Sequence, residues 1–192
     1  VLRAGADKVS LNTSAIARPE LIREASRAFG SSTIVVSIES FRNLDGRYEA
    51  YVNYGRERTG VDVFEWACRA VELGAGELMV TSVNLDGTGR GFDVDLIRRI
   101  AASVPVPVIA GGGAGKVADV ETVLSEGRAD AVSLASVLHY ECVRSHPWKE
   151  DDFRQEGNIE FLRQGAGLTL VTPCTIPEIK EAVMKPGRAV RP

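Results

Sequence analysis

Two carboxylates in this chain follow apolar runs in a way that suits proton transfer. Asp86 lies in Asn84-Leu85-Asp86-Gly87-Thr88-Gly89-Arg90-Gly91, shortly after the apolar run Leu78 to Val80. Glu39 follows the β-branched run Thr33 to Ile38. A carboxylate just past the carboxyl end of a buried parallel strand sits where α/β barrels keep their acids and bases. Asp-Gly is also an ordinary turn signal, in which the aspartate holds its own backbone. A second chemistry is anion binding. Gly111-Gly112-Gly113-Ala114-Gly115-Lys116 follows the apolar stretch Val106 to Ala110, and Ala135-Ser136 follows Ala131 to Leu134. Glycines let backbone N–H groups approach a ligand closely, and a helix start adds a favourable dipole. A tight strand-to-helix turn is the plainer use of such a glycine run.

The elements that position these residues follow from periodicity. Leu78 to Val80 is too short for a helix and follows the stop signal Gly74-Ala75-Gly76, so it reads as a buried strand. Asp93 is a good N-cap ahead of Val94, Leu96, Ile97 and Ile100. Strands are expected near 7–12, 33–39, 77–82, 106–110 and 131–135. Val1 to Gly5 reads as the last turn of a helix. Ser14 is expected to cap a helix with apolar positions Leu21, Ile22, Ala25 and Phe29, stopped by Gly30. Val63, Phe64, Trp66, Ala67, Ala70 and Val71 form another apolar stripe and are expected to be core. Between these, Asp45-Gly46 marks a β-hairpin excursion over 40–60, made basic by Arg42, Arg47, Arg56 and Arg58.

A weak repeat supports this order. Arg3 to Leu11, Leu73 to Leu78 and Glu126 to Leu134 each end a helix with glycine and enter a strand beside a carboxylate. About five βα units predict an α/β protein with a parallel sheet, open or closed. A closed eight-stranded barrel takes about 250 residues, and the chain opens within a helix. The expectation is therefore an incomplete TIM (β/α)8-type barrel, 1–192 as one domain, with roughly three units preceding it.

The rhythm is lost from Glu141. Residues 142–174 read as an insertion holding the polar run Lys149-Glu150-Asp151-Asp152, a helical segment near Asn158 to Arg163, and Leu168 to Val171. A final helix over Thr175 to Val183 carries Pro177 in its first turn. The formal charge of −3 and the absence of a basic cluster give nucleic-acid binding little support. No apolar stretch reaches membrane-spanning length. Cys68, Cys142 and Cys174 lack metal-site spacing; free thiols in a reducing cytoplasm are expected, with no metal and no cofactor. His139 reads as packing and His146 as surface.

Several motifs together resemble one family. Ala4 to Thr13, Gly74 to Glu77 followed by Thr81-Ser82, Asp86-Gly87-Thr88, Ala110 to Lys116 and Leu134 to His139 are similar to the cyclase subunits of imidazole glycerol phosphate synthase, the histidine-biosynthesis barrels. The resemblance covers residues 1 to about 141 and the last helix, in the right order on the right elements. The sibling isomerase barrel is less similar at Asn12-Thr13 and Thr81-Ser82. The resemblance implies a lyase that takes ammonia from a glutaminase partner, as a heterodimer. It cyclises a bisphosphorylated ribulosyl formimino precursor, giving imidazole glycerol phosphate and an aminoimidazole carboxamide ribotide.

Under that resemblance Glu39 and Asp86 are the catalytic residues, facing one shared cavity. Gly112, Gly113, Ala135 and Ser136 clamp one phosphate; Asn12 and Thr13 help hold the other, and Thr81 completes the substrate set. Lys8 and Glu77, at strand starts on the opposite face, belong to an ammonia gate; a salt bridge capping the barrel bottom is the alternative. Three departures stand out. The family's aspartate at the end of its first strand has no counterpart in this chain, Glu39 stands where it has aspartate, and Asn84 stands where an acid is common. These changes resemble paralogues that make amidino groups on surface sugars. A non-catalytic barrel fragment acting as a binding partner is a third reading.

Overall fold

The computed structural model describes residues 1–145, 170–184 and 189–190. Its centre is five parallel strands: β1 (Val9–Leu11), β2 (Ile34–Arg42), β5 (Glu77–Ser82), β6 (Val108–Gly111) and β7 (Ala131–Ser133). They pair in the order β1-β2-β5-β6-β7, every neighbour parallel. The chain thus forms a partial barrel whose sheet is unclosed. Each strand forms where the sequence expects one, with ends set by local chemistry. Pro105 and Pro107 have no N–H to donate, so β6 starts only at Val108. β7 stops at Ser133 because the chain turns into a helix at Ser136.

Strand β2 is buried along its whole first half, Ile34 to Ile38, and β5 alternates. On β5, Leu78, Val80 and Ser82 are buried, whereas Glu77, Met79 and Thr81 are half-buried. The buried set packs with the helices; Leu78 and Val80 each contribute about 1.5–3 kcal/mol by leaving water. The helices between strands are α1 (Thr13–Ala17), α2 (Glu20–Phe29), α3 (Val63–Glu72), α4 (Val94–Ser103) and α5 (Val117–Ser125). After β7 come α6 (Ser136–Ser145) and α7 (Ile176–Met184), and α7 packs on α5. Trp66 is buried in the core, as its stripe predicts. Residues 2–4 form one 3-10 turn closed by Gly5 at φ 105°.

The single helix expected from Ser14 is two helices. Pro19 has no N–H, so α1 ends at Ala17 and α2 starts at Glu20; Asn12, not Ser14, stands at the α1 N-cap. Phe29 is half in solvent instead of in the core. His139 is exposed on α6 with its ring against Tyr140, so it is not core packing.

The excursion is an antiparallel addition to β2. Strand β3 (Tyr48–Val52) pairs back on β2 with Tyr51 opposite Glu39, and β4 (Glu57–Asp62) pairs on β3. Asn43 donates to Arg47 O at the Asp45-Gly46 turn. Glu49, facing inward from β3, accepts from Arg58 at 2.7 Å, Gly60 N at 2.8 Å and Asn43 at 3.3 Å. The three cysteines are free: Cys142 is exposed, Cys68 half-buried and Cys174 buried. Lys149 to Asp152, Asn158 to Arg163, Leu168 and His146 lie outside the described residues.

Candidate active site

The carboxyl ends of the strands carry two recesses. The first, of about 230 Å³, is lined by Met79, Thr81, Asp86 and Gly87, by Gly111 to Ala114, and by Ser133 to Ser136. Five of the expected site residues besides Asp86 meet here: Thr81, Gly112, Gly113, Ala135 and Ser136. Asp86 hangs from the end of β5, its N–H donating to Ser82 O at 2.9 Å. Its side chain has no hydrogen-bond or ion-pair partner among the described residues. Thr88 closes the turn instead, its hydroxyl donating to Leu85 O at 2.7 Å. The turn-holding role open to an Asp-Gly aspartate is therefore taken by a neighbour.

The glycines facing Asp86 are required by space. Gly112 and Gly113 have φ of 80° and 103°. A Cβ on Gly113 would lie 2.1 Å from Gly91 O, and one on Gly112 2.8 Å from Ser82 O. Their own N–H groups donate to no acceptor among the described residues. Across the recess, α6 begins at Ser136 with the positive end of its dipole toward the same space. Unbonded backbone donors on one side and a helix start on the other are the components of an anion site.

The second recess, of about 300 Å³, is lined by Ser10, Asn12, Thr13, Ser37, Glu39, Asn53 and Tyr54. Glu39 is therefore beside Asn12 and Thr13, and the two carboxylates line separate recesses instead of the single one expected. The physical reason is the reach of Glu39. Its Oε2 accepts from Gly55 N at 2.8 Å, which draws the carboxylate toward the β3–β4 turn. That turn runs through left-handed backbone at Asn53, Tyr54 and Gly55 (φ 53°, 62° and 70°). It is tied down again where Asn53 N donates to Thr13 Oγ1 at 3.2 Å. The Asn12 Oδ1 atom is buried with no partner among the described residues, a polar atom left for something in the recess or beside it.

The loop carrying Asp86 is held to the hairpin as well. Asn84 bridges the Arg42 backbone, its Oδ1 accepting from Arg42 N at 2.6 Å and its Nδ2 donating to Arg42 O at 3.2 Å. The Tyr48 hydroxyl donates to Asp93, the N-cap of α4, at 3.0 Å. Burial and then the Asp93 charge push the Tyr48 hydroxyl up to about 12, so it stays a donor.

At the other end of the sheet, Lys8 Nζ bonds Glu77 at 2.7 Å and Ser32 O at 2.9 Å. The two expected gate residues are thus an ion pair at the strand starts, away from both recesses. Among the described residues no three His, Cys, Asp or Glu side chains group to hold a metal ion. No helix among them is long and apolar enough to cross a membrane.

Sequence reasoning missed the Asn53–Gly55 turn as part of a site. Asn-Tyr-Gly between two strands was a readable turn signal, but nothing local says that it reaches a carboxylate sixteen residues back. It also missed Leu170 to Cys174, which bonds Gly115 O and Val137 O next to the first recess.

Comparison with known proteins gives this geometry a family. The profile of the family described as "Histidine biosynthesis protein" matches residues 1–144. The imidazole glycerol phosphate synthase subunit HisF of Prochlorococcus marinus (strain MIT 9215) is 53% identical over 141 residues, 72% of this chain and 55% of that protein. The same-named subunit of Alkaliphilus metalliredigens (strain QYMF) is 47% identical over 140 residues, covering 73% and 56%. That of Symbiobacterium thermophilum is 53% identical over 138 residues, covering 72% and 54%. The chain spans about half the length of the curated relatives it matches.

Proposed function

The chain belongs to the histidine biosynthesis protein family, and on that premise we propose that it is the strand-and-loop framework of an ammonia-dependent cyclase acting in the cytoplasm. The substrate is a bisphosphorylated ribulosyl formimino precursor, and the products are imidazole glycerol phosphate and an aminoimidazole carboxamide ribotide. One observation carries the reading. Asp86 presents a carboxylate without a partner among the described residues to a recess whose opposite walls offer the Gly112 and Gly113 N–H groups, likewise unbonded among those residues, and the start of α6. Such a site binds one phosphate with an acid–base group beside it.

The second recess supports the other end of the same substrate. Asn12 and Thr13 face the second phosphate, and Glu39 supplies a second carboxylate fixed by the Gly55 amide. A substrate with a phosphate at each end spans two recesses more naturally than one. Glu39 and Asp86 then act on different parts of the substrate. Thr81 sits between them, opposite Glu39 in the β2–β5 register and on the wall of the Asp86 recess. Ammonia comes from a glutaminase subunit docked at the strand starts, where Lys8 and Glu77 form the gate pair. The chain is one barrel domain, with 142–174 an insertion before its last helix.

A specific observation favours a second reading, an amidotransferase subunit for amidino sugars. Asn84 donates to Arg42 O, which the carboxylate common at this position in cyclases cannot do, and Glu39 uses its extra methylene to reach Gly55. The two readings separate on substrate. Full-length protein with ammonia supplied directly is assayed on the bisphosphorylated precursor. Turnover that falls roughly 100-fold in Glu39→Gln is expected, the usual worth of a general acid or base. No turnover by the wild type, with transfer of ammonia to a sugar acceptor instead, establishes the second reading. Wild-type turnover in Glu39→Gln removes Glu39 from the chemistry.

A further inference from the structure

The strongest feature outside the assigned residues is the segment Leu170 to Cys174. It meets the three chain segments that carry the walls of the Asp86 recess. At the β5–α4 loop, a Cβ on Gly89 would lie 3.0 Å from the Leu170 carbonyl and from Val171 Cγ2. At the β6–α5 loop, Thr172 N donates to Gly115 O at 2.7 Å. At the start of α6, Cys174 N donates to Val137 O at 3.2 Å, one residue after Ser136.

The contacts are backbone on backbone. A Cβ on Gly115 would lie 2.1 Å from Gly89 O and 2.6 Å from Leu170 O, so only glycine lets the three segments close on one another. The two loops are joined directly as well, Gly91 N donating to Gly113 O at 2.8 Å. The result is a three-layer stack of 89–91, 113–115 and 170–172. Beyond it the chain is anchored by Thr175, which exchanges bonds with Glu178 at the start of α7, and α7 packs on α5.

We propose that Leu170–Cys174 is a positioning segment for the Asp86 recess: it sets the spacing between the Asp86 loop, the Gly112–Gly113 loop and the start of α6. The segment does not itself line the recess, so it acts through the loops it spaces. Three separate walls must hold a few tenths of an ångström for a single phosphate to reach donors on all of them. A stack of main chain does this better than side chains, because peptide groups have no rotamers to lose. Thr172 contributes only its N–H, and its side chain is exposed. This inference rests on the anion-site reading for its function, but not for its structure.

The test separates the two. In the full-length protein, Thr172→Pro removes the N–H that meets Gly115 O, whereas Thr172→Val keeps it and alters only an exposed side chain. Amide hydrogen exchange at Gly91 and binding of inorganic phosphate are measured in both variants and in the wild type. Thr172→Pro is expected to speed exchange at Gly91 and weaken phosphate binding, each about tenfold, the factor carried by one lost hydrogen bond. Thr172→Val is expected to match the wild type in both. Equal exchange at Gly91 in the two variants overturns the positioning role. If the wild type binds no phosphate, the anion-site reading fails while the exchange data still decide the segment. If Thr172→Pro loses its fold by circular dichroism, Gly115→Ala decides: it must speed exchange at Thr172 and Gly91, and unchanged exchange at both refutes the stack.

Discussion

Removing the charge of Glu49 tests how firmly the hairpin holds the Glu39 recess. Glu49 is 7% exposed on β3, two residues before Tyr51, which stands opposite Glu39. The Arg58 hydrogen bond, then the Gly60 N–H and the Asn43 amide, outweigh burial and hold its carboxyl at about 2, against an ordinary 4.5. At about 1.4 kcal/mol per unit, that shift sets a ceiling of about 3 kcal/mol on its stabilising effect. The Arg58 side chain is 68% exposed, so water screens the pair and about 1.5–2 kcal/mol is the working figure. The sign follows from the lowered value. Stabilisation is whole above 4.5 and is lost as the pH falls toward about 2. Glu49→Gln keeps an acceptor for Gly60 N–H but drops the ion pair. Urea unfolding of the full-length protein should show wild type exceeding Glu49→Gln by about 1.5–2 kcal/mol near neutral pH, with most of the gap gone near pH 3. Amide exchange at Gly55, the donor to Glu39, should quicken in the variant at neutral pH. A gap of the same size at both pH values refutes the ion-pair account, and unchanged exchange at Gly55 separates the hairpin from the recess.

Asn84→Asp keeps the acceptor for Arg42 N but sets a carboxylate oxygen against Arg42 O; it should cost about 1 kcal/mol in urea unfolding, and an unchanged midpoint counts against the bridge. Ser136→Asp places a negative charge at the start of α6 and should weaken inorganic phosphate binding by about tenfold, read by calorimetry. It is a cleaner probe than Gly113→Glu, in which any Cβ already meets Gly91 O and disturbs the loop itself. Cys142 should react with a charged thiol reagent well before Cys174, since burial, then Glu178 and Glu141, push the Cys174 thiol up; equal rates in mass spectrometry contradict its burial.

The strands were legible because each is a short apolar or β-branched run whose alternate residues must leave water: Val36, Ile38, Leu78, Val80, Val108 and Ala110 are fully buried. The loops after them were legible as turns, because Asp86-Gly87 and the glycines at 111–113 follow directly on the strand ends. The break at Pro19 was legible in principle, since a missing N–H ends a helix by local chemistry, and the apolar spacing on either side concealed it. What stayed hidden depends on pairs of residues far apart in sequence. The resemblance implies that Glu39 and Asp86 share one cavity, and β2 and β5 do run side by side, with Glu39 opposite Thr81. A side chain, however, goes to its best available donor. The Gly55 N–H is brought to it by the Tyr51–Glu39 register and by three successive left-handed residues, in a turn that folds over against Val83. An aspartate at that position would be one methylene shorter and less able to reach that amide. The Glu39 carboxylate is thus held by a turn and not by its strand neighbours, and Glu39→Asp, by releasing Gly55, should speed amide exchange at Gly55; unchanged exchange there refutes the tether.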